Sequence, residues 1–245
     1  MEIDKKGKYN YVVEPFHVDY TGKLTWGVLG NQLLNCAGFH STDRGFGIGS
    51  LNEEDYTWVL SRLAVEMKQM PHQYDKYSIE TWMENVYRLF TDRNFVIRNE
   101  NGDEIGYASS VWAMISLQTR KPANLLTLHD GGIANFALEE TCPIAKPSRI
   151  KVVATEATAT YQVKYSDIDI NGHTNSVKTI EHILDLFPYD NYMKGIERFE
   201  IAYVAESYFG DVLHFYVDNL DEKDYAIEIR RNNDNVVCRS KVKFY

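Results

Sequence analysis

The chain is poor in the residues that mark several common classes of protein. It has three cysteines, Cys36, Cys142 and Cys238, scattered and odd in number. No two stand at metal-ligand spacing, and the count speaks against a disulfide framework. Free thiols suit a reducing compartment. No run approaches the ~18 apolar residues of a membrane-spanning helix. The opening residues, MEIDKKGKYNYVVEPF, lack both the apolar core of a secretory signal and the Ser/Arg bias of a transit segment. Positive charge is short as well: 26 basic against 35 acidic side chains give a net charge of −9, and both halves are acidic. A nucleic-acid binder carries the opposite imbalance. These absences predict a soluble, cytoplasmic protein without nucleic-acid or membrane partners.

What is abundant is apolar and aromatic. Hydrophobic residues make up 44% of the 245 positions, with 17 Tyr and 11 Phe. Such a composition supports a large core and many strands. Alternation over 8–19 reads as a strand. Residues 25–40 read as a helix with Leu29, Leu33, Leu34, Ala37 and Phe39 on its buried side. Strand candidates follow at 56–70, 76–87, 90–99 and 104–118, the last two joined by a hairpin signal at Asn99–Asp103. The second half repeats the order: a strand at 156–166, a helix at 174–187, and strands at 196–207, 211–219, 224–231 and 235–244, with a final turn at Asn232–Asp234.

One strand, one helix and four strands, twice over, form an internal duplication. The expected fold class is therefore α+β, a double hot-dog of two tandem repeats, each a long helix wrapped by a bent antiparallel sheet. We expect an N-terminal unit over residues 1–130 that serves as a substrate-binding partner and a connector over 131–150 containing a short helix near 133–140. A C-terminal unit over 151–245 is expected to carry the catalytic residues. Gly45, Gly47 and Gly49 follow a helix and lack a Lys-Ser/Thr, so a flexible turn is expected there rather than a phosphate loop.

The chemistry concentrates in 165–187. Asp167, Asp169, Asn171, His173 and Asn175 occupy every second position, which in an extended segment places them on one face before a helix begins. A helix N-terminus favours a developing oxyanion, and the N–H groups of Thr174 and Asn175 are candidates to meet it. The Asn171 amide is a candidate to hold a carbonyl or a water, His173 to shuttle a proton, and Asp169 to orient either one. Asp167 reads as a surface or turn acid, Asn175 as a helix cap or a ligand contact, and Lys178 as a solvated or ion-paired residue. A carboxylate is still needed to activate water. Glu206, near the end of the strand pattern before Gly210-Asp211, fits. Aligning Asp75 with Asp211 between the repeats pairs Glu206 with Met70, and the first half has Asp19-Tyr20-Thr21-Gly22 where the second has Asp169-Ile170-Asn171-Gly172.

The run Asp167-Ile-Asp169-Ile-Asn171-Gly-His173-Thr-Asn175-Ser-Val-Lys178 resembles that of the plant-type acyl-acyl carrier protein thioesterases, in a short form. Trp58–Arg62 and Ser109–Met114 are weaker likenesses, and together they span roughly residues 10–215. The resemblance implies a double hot-dog fold and hydrolysis of acyl carrier protein thioesters. It also implies that Asp169, Asn171, His173 and Glu206 match the family's active-site positions. No cofactor is implied, since the phosphopantetheine arm arrives with the substrate. The implied partner is an acyl carrier protein, with the chain a monomer or a homodimer. Lys5-Lys6-Lys8, Arg120-Lys121 and Lys194/Arg198 are candidates for docking it. One departure stands out: Ser207 follows the glutamate where the family often has cysteine, which favours water over a side-chain nucleophile. A coenzyme A thioesterase, a hydroxyacyl dehydratase and a non-catalytic acyl-binding protein are the alternatives.

Overall fold

The computed structural model describes residues 4–232 and 235–245, apart from the His129 side chain. The last two positions of the turn expected at 232–234 lie outside the described residues. The chain forms two compact units, Met1–Thr25 with Asn31–Lys146 and Trp26–Gly30 with Pro147–Tyr245.

The first unit contains β1 (Gly7–Val12), most of α1 (Trp26–Thr42), α2 (Ile48–Glu53), β2 (Tyr56–Met67), β3 (Lys76–Val86), β4 (Phe90–Asn99) and β5 (Glu104–Ser116). Its strands run antiparallel in the order β1-β3-β4-β5-β2. The register slips between Leu60 and Arg62 and between Met83 and Asn85. Such bulges bend a sheet and increase its twist. The body of α1 lies against this sheet. Cys36 donates to the Ile79 carbonyl, and Arg93 of β4 donates to Ser41 of the helix. Leu33, Cys36, Ala37 and His40 are buried at helical spacing, and a leucine buried this fully contributes about 1.5–3 kcal/mol. Phe39, expected inside, is exposed and packs on Tyr9.

Strand β4 is buried on both faces from Thr91 to Ile97. Arg93 points to the helix side. On the opposite face, Asp92 binds Lys146 at 2.6 Å, Asn94 donates to Glu84, and Val96 joins Trp82, Tyr107 and Ile144. The segment 137–146 therefore crosses the outer face of this sheet. Before it, Leu128–Phe136 forms 3-10 turns rather than the short helix expected near 133–140. Gly45 and Gly47 lie in the turn expected there, and Gly49 falls in the first turn of α2.

The second unit contains β6 (Ala159–Gln162), α3 (Ser176–Leu184), α4 (Tyr189–Lys194), β7 (Ile196–Tyr203), β8 (Val212–Asn219), β9 (Asp224–Arg231) and β10 (Asn235–Phe244). The order β6-β8-β9-β10-β7 repeats the first unit's topology strand for strand. Ile180 and Ile183 of α3 and Phe199, Phe215, Ile227 and Phe244 of the strands are all buried. The strands expected at 8–19 and 156–166 are shorter than their alternation suggested. Each stops where a 3-10 turn begins, at Pro15–His17 and Tyr165–Asp167.

Candidate active site

The site lies in the second unit, where the turn before α3 meets the loop between β7 and β8. The turn is not extended. Ile168 bridges Thr174, Asp169 N–H donates to the His173 carbonyl (2.9 Å), and Gly172 takes φ +80°, a backbone conformation that favours glycine. Asp169 Oδ1 closes it, accepting the N–H groups of Asn171 (2.8 Å) and His173 (3.1 Å). The alternating polar row therefore does not share one face. Asp169 touches Asn171 and His173 through their backbone N–H groups rather than their side chains. Ile170 at the tip is fully exposed.

His173 and Glu206 come together across the two segments, Nε2 to Oε2 at 3.3 Å. Glu206 lies past the end of β7, in the loop rather than in the strand. Tyr208 completes the group. Its hydroxyl donates to Glu206 Oε2 at 3.1 Å, and its ring meets the imidazole edge-on at 5.3 Å. Asp211 fixes this residue by accepting its N–H (2.9 Å), and Arg231 lies over the ring. Nothing in the local sequence marks Tyr208, and the duplication sets His72 at the matching position. Asn171 is exposed, and among the described residues its side-chain amide has no hydrogen-bond partner, so the turn presents it to solvent two residues before His173.

The N–H groups expected to receive an oxyanion are occupied. Thr174 N–H donates to the Ser207 carbonyl and Asn175 N–H to the Asp167 carbonyl, both at 2.7 Å. The Asn175 side chain caps α3 by accepting Val177 N–H at 2.8 Å. Ser207 is buried, and its hydroxyl donates to Thr174 Oγ1 (2.8 Å) rather than to His173. Asp167 is 2% exposed, not a surface acid. Its carboxylate accepts from Tyr161 (2.8 Å) and Lys164 N–H (2.7 Å) and pairs with His182 (3.0 Å). Burial alone would raise its pKa. The Lys164 N–H, the Tyr161 hydroxyl and His182 outweigh that and hold it below the ordinary carboxylate value. Lys178 pairs with Glu181 at 2.7 Å.

The first unit builds the same scaffold with other side chains. Asp19 Oδ1 accepts from Thr21 N–H (2.7 Å) and Lys23 N–H (3.4 Å), and Leu24 N–H donates to the Pro71 carbonyl (2.8 Å). Lys23 bridges His72 as His173 bridges Tyr208, and His72 N–H donates to Asp75 as Tyr208 N–H does to Asp211. Positions 21, 23 and 70 therefore correspond to 171, 173 and 206, and they hold Thr, Lys and Met. Among the described residues, no cluster of three or more His, Cys, Asp or Glu is arranged to hold a metal, and no helix is long and apolar enough to cross a membrane. Several basic candidates for docking are already paired: Lys6 with Glu140, Lys8 with Glu80, and Arg198 with Glu200.

Two tandem units, each a helix against a bent five-stranded antiparallel sheet, define a double hot-dog protein. Residues 4–127 match the acyl-ACP thioesterase N-terminal domain and residues 150–245 the C-terminal domain, so the chain belongs to the acyl-ACP thioesterase family. An acyl-ACP thioesterase from Bacteroides thetaiotaomicron, solved by crystallography, is 62% identical with a TM-score of 0.94, and the match covers 98% of both chains. The 12:0-ACP thioesterase from Umbellularia californica shares the fold at 17% identity, with a TM-score of 0.86 over 99% of this chain and 98% of that one. Among curated relatives, an oleoyl-acyl carrier protein thioesterase of Coriandrum sativum is 24% identical over 237 residues, covering 90% of this chain and 64% of that one. A palmitoyl-acyl carrier protein thioesterase of Arabidopsis thaliana is 29% identical over 153 residues, 59% of this chain and 37% of the relative. The chain thus spans less than two thirds of the length of these curated relatives.

Proposed function

We propose that the chain hydrolyses fatty acyl-acyl carrier protein thioesters to free fatty acid and carrier thiol, ending chain elongation. The observation that carries this reading is the His173–Glu206 pair, held in the unit that matches the family's C-terminal domain and braced by Tyr208. Glu206, with His173, takes a proton from water. The water oxygen bonds to the thioester carbon, the carbon–sulfur bond breaks, and the proton passes to the departing sulfur. Asn171, presented by the turn, donates to the thioester oxygen as charge develops there. Asp169 holds the turn that carries both residues. The first unit, whose matching positions lack this chemistry, takes the acyl chain, with no metal or organic cofactor required. The partner is an acidic carrier protein in the cytoplasm; because this chain is acidic too, the carrier docks on a local basic patch against an unfavourable overall field, and the encounter weakens as salt rises.

Thiol release from acyl-carrier substrates and from matched coenzyme A esters tests this. Glu206→Ala abolishes release, and Ser207→Ala keeps much of it, because the Ser207 hydroxyl is turned away to Thr174. A folded but inactive Ser207→Ala protein would sink the water mechanism. Release from coenzyme A esters in preference to carrier substrates would move the substrate class.

A further inference from the structure

The helix-side face of the first unit's sheet encloses a cavity of about 60 Å³. Most of its wall is apolar, with Leu34, Ile48, Trp58, Met83 and Trp112. Ser41 and Thr91 add hydroxyls to it, and Arg93 brings the one charged group among the lining residues. This arginine is 3% exposed, and its guanidinium donates to Thr81 Oγ1 at 3.2 Å and Ser41 Oγ at 3.3 Å. Among the described residues no carboxylate pairs with it. The nearest carboxylate in sequence, Asp92, faces the other side of the sheet and binds Lys146. Burial pulls its pKa down to about 10, with Arg44 nearby adding to the effect.

A buried guanidinium without a carboxylate is costly. It offers five donors and no acceptor, and two hydroxyl contacts leave donors over. A plain alkyl chain reaching this wall displaces water without replacing the hydrogen bonds that water makes. A chain with an oxygen at that depth replaces them. Sites built to bond a substrate oxygen reject analogues that lack it far more strongly than apolar pockets reject an extra methylene.

We propose that the first unit's cavity selects acyl chains bearing a hydroxyl group, which accepts a hydrogen bond from Arg93. The proposal rests on the reading that this unit takes the acyl chain. Trp58 and Trp112 line the same cavity and report its filling by fluorescence. The test titrates the whole protein with hydrolysis-resistant acyl amides of one chain length, one unsubstituted and the others with a hydroxyl walked along the chain. Trp58→Phe and Trp112→Phe assign the signal to the cavity. At least one hydroxylated isomer binds about tenfold more tightly than the plain chain, which corresponds to about 1.4 kcal/mol. Arg93→Met removes the difference, and Arg93→Lys, which keeps the charge, retains part of it. Plain and hydroxylated chains filling the cavity with equal affinity would overturn the proposal while leaving the acyl-chain reading intact. Chains that change neither tryptophan would overturn both. Should Arg93→Met fail to fold, the wild-type comparison and Arg93→Lys still decide.

Discussion

His40 ties the stability of the first unit to pH. It is fully buried on α1, with Nε2 3.0 Å from the Lys5 carbonyl and Nδ1 buried without a partner among the described residues. The Lys5 contact makes the neutral ring an Nε2–H donor. Burial opposes a charge there first, the Arg93 guanidinium opposes it next, and Arg44 adds to them, so the pKa falls from 6.5 to about 3. The sign follows directly. Above pH 6.5 the ring is neutral in both the folded and the unfolded chain. Below that, the unfolded chain takes up a proton that the folded chain refuses, so His40's contribution is present above 6.5 and is lost as pH falls toward 3. Each pH unit in this window costs about 1.4 kcal/mol, so the loss from 6.5 to about 5 is about 2 kcal/mol. Urea unfolding at about pH 7.5 and about pH 5 measures it, in the wild type and in His40→Gln, whose amide can still reach Lys5 but does not titrate. The variant is less stable at neutral pH from altered packing, yet its stability falls by about 2 kcal/mol less on acidification. Asp167 and Glu200, whose pKa values are lowered, lose their contributions only below the ordinary carboxylate range and do not enter this window. Equal losses in the two proteins would refute the reasoning.

Three further outcomes are expected. Tyr208→Phe keeps the ring against His173 and removes the hydroxyl from a half-buried carboxylate, lowering kcat/KM about fivefold (about 1 kcal/mol) through kcat rather than KM; an unchanged kcat would strip Tyr208 of a positioning role. Asp167→Asn leaves His182 without its carboxylate and costs about 3 kcal/mol in urea unfolding, and a loss below about 0.5 kcal/mol, the size of an ordinary surface substitution, would show the pair to be dispensable. Asn175→Ala removes the α3 cap and costs about 1 kcal/mol, with a thermal midpoint equal to wild type as the contrary result.

The parts of the fold that were legible in sequence are those governed by long, repeated signals. Strand β4 begins and ends at 90 and 99 as its pattern indicates, and the hairpin after it is made by Asn99, whose side chain accepts two backbone N–H groups, with Gly102 at φ +90°. The pairing of Glu206 with Met70, inferred from Asp75 and Asp211, agrees with the ladder bonds on both sides. The alternation at 167–175 misled because it is a pattern of residue types, not of backbone. Aspartate and glycine there favour a local turn, and the Asp169 carboxylate satisfies N–H groups that an extended segment would have left to a partner strand. Tyr208 and Arg93 were out of reach for another reason. Each acquires meaning only from a residue far along the chain, His173 in one case and Ser41 in the other, and neither pairing leaves a local trace.

The twin turns at Asp19 and Asp169 carry a consequence for how this chain tolerates change. In both, the aspartate holds the backbone; the Thr21 hydroxyl adds a bond to Asp19 at 2.6 Å, whereas the side chains of Asn171 and His173 add none to Asp169 among the described residues. The Lys23 side chain can therefore be exchanged at little cost to folding, whereas Asp19 cannot. A duplicated turn of this kind gives natural variation a protected rehearsal space: under the proposed mechanism one copy is bound by chemical duty, and the other is free to drift or to take up a new task while the architecture stays put.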